Sequence, residues 1–292
     1  MSMDVSIVIV SWNVKPLLER CLRSVFAHVR GVQFEVLVVD NASSDGSAAA
    51  MAAAFPQATI IANTRNEGFA AACNAAIERA TGEYVLLLNP DCALRDDAVS
   101  AMVGWMRSHA DVAIMGPRIL NDDGSVQESV ARFPKFADQA LVMLKLHNIL
   151  PHLPALKRYA YADFDYARES DVDQVKGAAL LIRGTAIRRI GFMDAARFFV
   201  WYEEVDWCKR AKDAGLRVVY APVASITHSG GASFGQVFGP ARQAMLNRSM
   251  RRYMLKHHGV APYLALLALH PLSMALAYLA SPFRNARYAT RT

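Results

Sequence analysis

The sequence predicts an α/β fold with a mostly parallel sheet flanked by helices. Two observations carry that expectation. The first half alternates short, continuously apolar runs with longer helix-patterned segments, and each apolar run stops at a polar or acidic residue. Such a β-α-β-α order implies parallel strands joined by right-handed crossovers, with ligand chemistry at the strands' carboxyl ends.

Residues 5–10 read as the first buried strand, and 15–29 as a helix whose Leu18, Leu22, Val25 and Phe26 fall on one face. Residues 34–39 form the second strand, which ends at Asp40. The polar turn Asn41-Ala42-Ser43-Ser44-Asp45-Gly46-Ser47 then leads into an Ala-rich helix that runs to about Ala54. A third strand at 59–62, a helix at 67–80 stopped by Thr81-Gly82, and a fourth strand at 84–88 complete the regular half. A helix near 98–108 and a strand near 112–115 continue it. Asn121-Asp122-Asp123-Gly124-Ser125 reads as a hairpin turn. Residues 137–161 are an apolar insertion punctuated by His147, Pro151 and Pro154. Strands are expected at 175–182 and 216–220, and helices at 185–190 and 203–214, the latter ended by Gly215. Residues 242–258 form a basic helix. The run 260–280 has about the 20 apolar residues a spanning helix needs, but His270-Pro271 interrupts it, which favours a membrane-surface or re-entrant segment.

Composition narrows the class. The chain has 292 residues, 53% hydrophobic and 20% charged, with a formal net charge of +6; this is a globular protein suited to anionic partners such as nucleotide phosphates, lipid diphosphates or an anionic membrane. No Lys/Arg block with interleaved aromatics points to nucleic acid. The four cysteines, Cys21, Cys73, Cys92 and Cys208, form no CxxC pair, which argues for a reducing compartment and against a zinc cluster or disulfide framework. Met1-Ser2-Met3-Asp4 runs straight into the first strand, so no signal peptide is expected.

The polar residues gather at successive strand ends: Ser11 to Asn13, Asp40, Asn63 to Asn66, and Asn89 to Asp91. GxGxxG, Walker A and the Gly-rich nucleotidyltransferase loop are all absent. The run Leu86-Leu87-Leu88-Asn89-Pro90-Asp91 brings one carboxylate to a strand end, where it is placed to meet a metal ion bridging two phosphates. Asp40 can accept the imide N–H of a pyrimidine base or can serve only to shape its turn.

Four ordered motifs carry a resemblance. Val5-Ser6-Ile7-Val8-Ile9-Val10-Ser11-Trp12-Asn13, Val38-Val39-Asp40-Asn41-Ala42-Ser43-Ser44-Asp45-Gly46-Ser47, Asn66-Glu67-Gly68-Phe69-Ala70-Ala71-Ala72-Cys73-Asn74 and Leu88-Asn89-Pro90-Asp91 resemble inverting family-two glycosyltransferases. The likeness is to their rhamnosyltransferase-like branch, whose Asp-x-Asp reads Asn-Pro-Asp, and it covers roughly residues 4–257. The resemblance implies a GT-A fold with a nucleotide-binding sheet fused to an acceptor-binding half. It implies donor contacts at Ser11, Asn13, Asp40, Asn41, Asn66, Gly68, Asn74, Asn89 and Asp91. Residues 1–235 would be the catalytic domain, divided into a nucleotide-sugar half (1–118) and an acceptor and catalytic-base half (119–235). Residues 236–292 would be the basic helix and membrane-associating tail.

Phe198-Phe199-Val200-Trp201-Tyr202-Glu203-Glu204-Val205-Asp206 resembles the family segment Phe-Phe-x-Tyr-x-Glu-Asp-x-Asp, with Glu204 where Asp is usual. An inverting transfer needs one carboxylate to take the acceptor hydroxyl's proton. The resemblance points to this acidic group, with Glu204 first, Asp206 second and Glu203 beside them. Glu204 is one methylene longer than Asp, a displacement that matters in catalysis. Asp206 and Arg210, spaced i,i+4, can instead form a helix-surface pair worth about 0.2–0.5 kcal/mol. In Ile226-Thr227-His228-Ser229-Gly230-Gly231-Ala232-Ser233, His228 matches a metal-binding position. Beside Asp91 it would hold Mg2+ or Mn2+, completed by diphosphate oxygens and water. Lys176-Gly177-Ala178-Ala179-Leu180-Leu181-Ile182-Arg183 resembles the strand that lines the acceptor side, with Gly177, Trp201 and Tyr202 on that side.

The expected activity is transfer of L-rhamnose from dTDP-rhamnose, with inversion, to a polyprenyl-diphosphate-linked or polysaccharide acceptor at the cytoplasmic face of the plasma membrane. The alternatives are a UDP-hexose or UDP-galactofuranose donor, a catalytically silent nucleotide-sugar-binding protein, and a nucleotidyltransferase.

Overall fold

The computed structural model describes residues 3–230 and 235–289, so Gly231-Ala232-Ser233 of the histidine motif lies outside the described residues. The first half follows the expected order: β1 (Val5–Ser11), α1 (Lys15–His28), β2 (Phe34–Asp40), α2 (Ser47–Ala54), β3 (Thr59–Ala62), α3 (Phe69–Ile77) and β4 (Tyr84–Leu88). Then come β5 (Cys92–Ala93), α4 (Ala98–Ser108), β6 (Val112–Leu120) and β7 (Val130–Ala131). The insertion folds as α5 (Phe136–Met143), a 3-10 turn at Leu146–Asn148, and α6 (Pro154–Ala160). The chain continues through β8 (Ser170–Asp171), β9 (Gln174–Val175), β10 (Ala179–Arg183), α7 (Gly184–Ile190), α8 (Glu203–Asp213), β11 (Arg217–His228), α9 (Gly239–His258) and α10 (Val260–Ala289).

One sheet runs β3-β2-β1-β4-β10-β6-β11-β5, with β8 beside β11. Strands β1 to β4 are all parallel, and every residue of β1 and β4 is buried, as their unbroken apolar runs require. The order reverses between β1 and β4. That switch point opens a crevice at the carboxyl ends, beside Ser11 and Asn89.

Three expectations need correction. The strand expected over 175–182 is split: β9 pairs with β7, whereas β10 enters the main sheet antiparallel between β4 and β6. Lys176-Gly177-Ala178 is therefore a connecting turn, and Asn89 N–H donates to the Ala178 carbonyl at 2.9 Å. Strands β6 and β11 also run longer than expected, to Leu120 and His228, because they pair with each other across a bulge. That extension carries His228 to Cys92 on β5, next to Asp91. Finally, α10 continues through His270-Pro271 without a break. A proline inside a helix loses its own N–H bond and crowds the carbonyl one turn back, but Pro271 lies on the exposed side of the helix, where water can serve the freed carbonyl.

Helix α1 covers one face of the sheet with Leu18, Cys21, Leu22 and Val25, and α3 and α8 cover the other. A third apolar cluster joins Met143 of α5, Phe198, Tyr202, Val205 of α8, Met250, Tyr253 and Met254 of α9, and Leu266 of α10. At its edge lies Asp206, with no solvent exposure. Arg210 Nε reaches it at 2.8 Å, Lys256 Nζ at 2.7 Å and His257 Nε2 at 2.8 Å. The expected surface pair is thus one arm of a buried cluster that ties α8 to α9. Burial alone would raise the Asp206 carboxyl, but hydrogen bonds from His257 and Lys256 and the charge of Arg210 outweigh it and hold the pKa at about 2.

A carboxyl depressed on folding stabilises the native state above its unfolded pKa, near 3.9, and loses that contribution as pH falls toward 2. Asp206→Asn is expected to cost about 3–5 kcal/mol in denaturant unfolding at neutral pH, because it strands buried cations. The variant's stability should also fall less than the wild type's between about pH 5 and pH 2. An unchanged unfolding midpoint would show that the cluster is not holding the two helices together.

Candidate active site

The strand ends of the nucleotide half form a connected polar shelf. Asn13 has φ 52°, and its Oδ1 accepts from Ser44 N–H at 2.7 Å. The Asp40 carboxylate accepts from Ser43 N–H at 3.0 Å and from the Ser47 hydroxyl at 3.1 Å. Asn41 is the hub: its Oδ1 takes Asn63 Nδ2 and Glu67 N–H, both at 3.0 Å, and its Nδ2 donates to Asn66 Oδ1 at 2.9 Å. Ser11 Oγ is buried without a hydrogen-bond partner. Asn74 stands apart from this shelf. Its amide both donates to and accepts from the Met193 backbone, at 2.8 and 3.0 Å, so it clamps α3 to the loop after α7.

Gly68 joins the two halves. With φ +86°, it lets the chain pass so close to Phe199 that a Cβ would fall 2.6 Å from the ring. Phe69 N–H then donates to the Phe199 carbonyl at 2.7 Å. The following turn is strained. Trp201 and Tyr202 adopt φ 60° and 71°, conformations that cost bulky side chains about 1–3 kcal/mol each. Surrounding contacts impose them: the Tyr202 hydroxyl donates to Gln139 Oε1, and Ser249 Oγ of α9 donates to the Val200 carbonyl at 2.7 Å. Helix α8 starts directly after this turn.

Glu203 and Glu204 at that start, with Asn89, Gly177, Trp201 and His228, line one cavity of about 600 Å³. Burial pushes the Glu203 carboxyl well above the usual carboxylate range, and the charge of Glu204 adds to this. Burial raises Glu204 as well, but backbone N–H groups of its own residue, Gly177 and Val205 and the charge of Lys176 pull it back. Donors and a cation that favour the ionised form thus converge on Glu204. Each has an Oε2 that is buried with no hydrogen-bond partner. Gly177 packs on Glu204, and a Cβ there would touch its Cγ at 3.6 Å. Asp206 does not reach this cavity, since both its oxygens serve the helix cluster; this corrects its place as second candidate base. Tyr202 also turns away, toward Gln139. Ser11, Asn13, Asp40, Asn41, Asn66 and Gly68 lie outside the cavity, along the shelf.

At the other end, His228 Nε2 lies 3.2 Å from Asp91 Oδ1. Gln127 fixes the imidazole. Its amide nitrogen donates to Asn121 Oδ1 at 2.8 Å and to the His228 carbonyl at 3.2 Å, so its Oε1 accepts from His228 Nδ1–H at 2.7 Å. His228 Nε2 and Asp91 Oδ1 thus face each other, two atoms that can both act as metal ligands. The donor set fits a divalent ion, with Gln127 as the outer group that orients the ligating histidine. Cys92 also falls within 4.8 Å, but burial first, then nearby Cys21 and Asp91, drives its thiol well upward. It stays a neutral thiol bonded to the Ala178 carbonyl at 3.3 Å.

The cavity also gathers residues that were not among the expected site residues: Lys145, His147 and Asn148 from the insertion, and Arg242 and Gln243 from α9. Arg242 had a signal in the basic run. Gln127, Lys145 and Gln243 had none, because long-range folding alone brings them here.

Residues 6–164 match glycosyl transferase family 2, and the chain belongs to that family. It falls in the rhamnosyltransferase-like branch. It is 28% identical over 246 residues to the N-acetylglucosaminyl-diphospho-decaprenol L-rhamnosyltransferase of Mycobacterium tuberculosis, an alignment covering 79% of this chain and 77% of that one. It is 26% identical over 231 residues to a low-salt glycan biosynthesis hexosyltransferase of Haloferax volcanii, covering 77% and 67%. In fold it is similar to a mannosyltransferase from Pyrobaculum calidifontis solved with GDP-mannose and Mn2+. The TM-score is 0.58 at 18% identity, covering 100% of this chain and 76% of that one. The fold is of the GT-A type and the protein is a glycosyltransferase.

The geometry leads us to expect Mn2+ binding, followed by electron paramagnetic resonance in the presence of a nucleoside diphosphate, to be lost in Asp91→Ala and weakened at least tenfold in His228→Ala. Cys92→Ser should bind as the wild type does. Loss in the cysteine variant alone would overturn the ligand assignment.

Proposed function

We propose that this chain transfers L-rhamnose from dTDP-rhamnose, with inversion, to a sugar carried on a polyprenyl diphosphate. The observation that carries the reading is one cavity lined by both the buried Glu204 and His228, whose imidazole meets Asp91. The rhamnosyltransferase relative, whose name specifies a diphospho-decaprenol acceptor, supports the sugar and the acceptor class.

On this reading the shelf of Ser11, Asn13, Asn41, Asn66 and Gly68 cradles the nucleotide. Asp40, each of whose oxygens already accepts one bond and keeps a second lone pair, takes the base imide. Asp91 and His228 would hold Mg2+ or Mn2+, and the ion would supply positive charge to a departing nucleoside diphosphate. Glu204 removes the proton from the acceptor hydroxyl as that oxygen attacks the anomeric carbon. Gly177 leaves room for the acceptor against this carboxylate, and Trp201 forms the adjacent wall. Glu203, whose carboxyl burial and the Glu204 charge push well above the usual range, is the protonated partner on this reading and adds no second negative charge beside the base.

Helix α10 suits a membrane surface. Val260–Ala280 is long and apolar enough to cross a bilayer, yet Leu266, Ser273 and Ala277 are buried against the protein. Leu264, Leu267, Leu272, Tyr278 and Leu279 are exposed on the helix, next to the basic residues of α9. We therefore place the protein peripherally on the cytoplasmic face of an anionic membrane.

Glu204→Gln is expected to lower kcat by about 10²–10⁴-fold. Glu203→Gln, which mimics the protonated residue, should keep activity within about tenfold and retain the acidic limb of the pH–rate profile. That limb should lie above pH 4.3, the ordinary glutamate pKa. Equal losses in both variants would contradict the assignment of the base. In liposome flotation, the full chain should float with anionic vesicles, and the triple change Leu264→Gln, Leu267→Gln, Leu272→Gln should abolish this. Undiminished flotation would exclude the exposed face of α10 as the contact.

A further inference from the structure

A continuous line of buried polar groups joins the apolar C-terminal helix to the cavity. Ser273 Oγ of α10 donates to the Met143 carbonyl at 2.8 Å and accepts from Asn247 Nδ2 at 2.9 Å. Asn247 Oδ1 accepts from Gln243 Nε2 at 2.9 Å, and Gln243 Oε1 accepts from Lys145 Nζ at 2.6 Å. Asn247 and Ser273 are fully buried and Gln243 nearly so. Polar groups at that depth are costly unless each is matched, and once matched they fix one another's direction. The outcome of the line is the position of a single ammonium group in the cavity wall.

The backbone at Lys145 points the same way. It sits at φ 60°, ψ 15° after α5, a position where glycine or asparagine would be unstrained and lysine costs roughly 1–2 kcal/mol. An unfavourable residue held by a dedicated buried line suggests that its side chain has a task. Arg242 lines the same cavity, so an oxyanion entering here meets two cations.

We propose that Lys145, positioned by Gln243, Asn247 and Ser273, binds the diphosphate of the lipid-linked acceptor. This rests on the acceptor reading above and adds the subsite. On the proposed reading, the donor's diphosphate would meet the divalent ion that Asp91 and His228 would hold. The Lys145 wall is instead built from α5 and α9, both packed on α10, whose outer side is apolar. A molecule with its prenyl chain along that side and its sugar at Glu204 must bring its linking diphosphate past this wall. Bidentate or point-charge contacts from Arg and Lys are the usual means of holding such a group.

The test uses the full chain and isothermal titration calorimetry with two probes, farnesyl diphosphate alone and dTDP with Mn2+. Farnesol serves as the control for the apolar contribution. Lys145→Ala should weaken farnesyl diphosphate at least tenfold and leave dTDP–Mn2+ within twofold. Lys145→Arg should recover most of the loss. Ser273→Ala, which touches no ligand, should weaken farnesyl diphosphate a few-fold without affecting dTDP–Mn2+. The proposal is overturned if farnesyl diphosphate binds the wild type no better than farnesol does, or if Lys145→Ala leaves it unchanged. It is equally overturned if the variant weakens dTDP–Mn2+ by the same factor, since the cation would then belong to the donor side. Absence of rhamnosyl transfer by the wild type, with farnesyl diphosphate still bound through Lys145, would sink the proposed reaction and leave this subsite standing.

Discussion

A carboxylate with no exposure to water must be surrounded by cations or it will not ionise, and the neutralisation of Asp206 organises the second half of this molecule. Arg210 comes from its own helix, whereas Lys256 and His257 come from the far end of α9. Lys256 also bonds Asp194 at 2.8 Å, and Arg210 also donates to the Phe192 carbonyl at 2.8 Å, so one buried charge fixes α8, α9 and the loop before them. With α9 locked at that end, its first turns bring Arg242 and Gln243 to the cavity, and its middle presents Ser249 to the strained turn. Loss of the cluster would disturb the site without touching a group that faces substrate.

That turn is the second constraint. Two consecutive left-handed residues reverse the chain so that α8 begins at the cavity wall, with its first two side chains facing inward. The same helix start offers backbone N–H groups to Glu204, and Gly177 adds another. Two neighbouring glutamates thus meet different surroundings: burial raises both, and the backbone donors and the charge of Lys176 act on Glu204. Gly177 packs directly on the longer side chain at 204.

The regular half was legible because buried strands must be continuously apolar and must end where the chain meets solvent; β1, β2 and β4 lie where those runs stand, and the partly exposed edge strand β3 lies at its short apolar run. Asp91 and His228 come together as the family likeness implied, through the extended pairing of β11 that local sequence does not announce. The antiparallel entry of β10 was not readable, since its apolar run looks the same in either direction. Asp206 showed only its Arg210 partner, because i,i+4 spacing is local while Lys256 and His257 are some fifty residues away. Gln127, Lys145 and Gln243 are ordinary polar residues in sequence and acquire meaning only from what folding sets beside them.

The proposed reaction is a single displacement: Glu204 as base, no covalent sugar on the protein, and the diphosphate leaving from the opposite face. The measurement that bears on all three is the anomeric configuration of the product, read by NMR from the full chain with dTDP-rhamnose and farnesyl-diphospho-N-acetylglucosamine. The expected product carries rhamnose with its anomeric configuration opposite to that in the donor, and no glycosylated protein accumulates. A product of retained configuration, or a sugar trapped on Glu203 or Glu204, would contradict it.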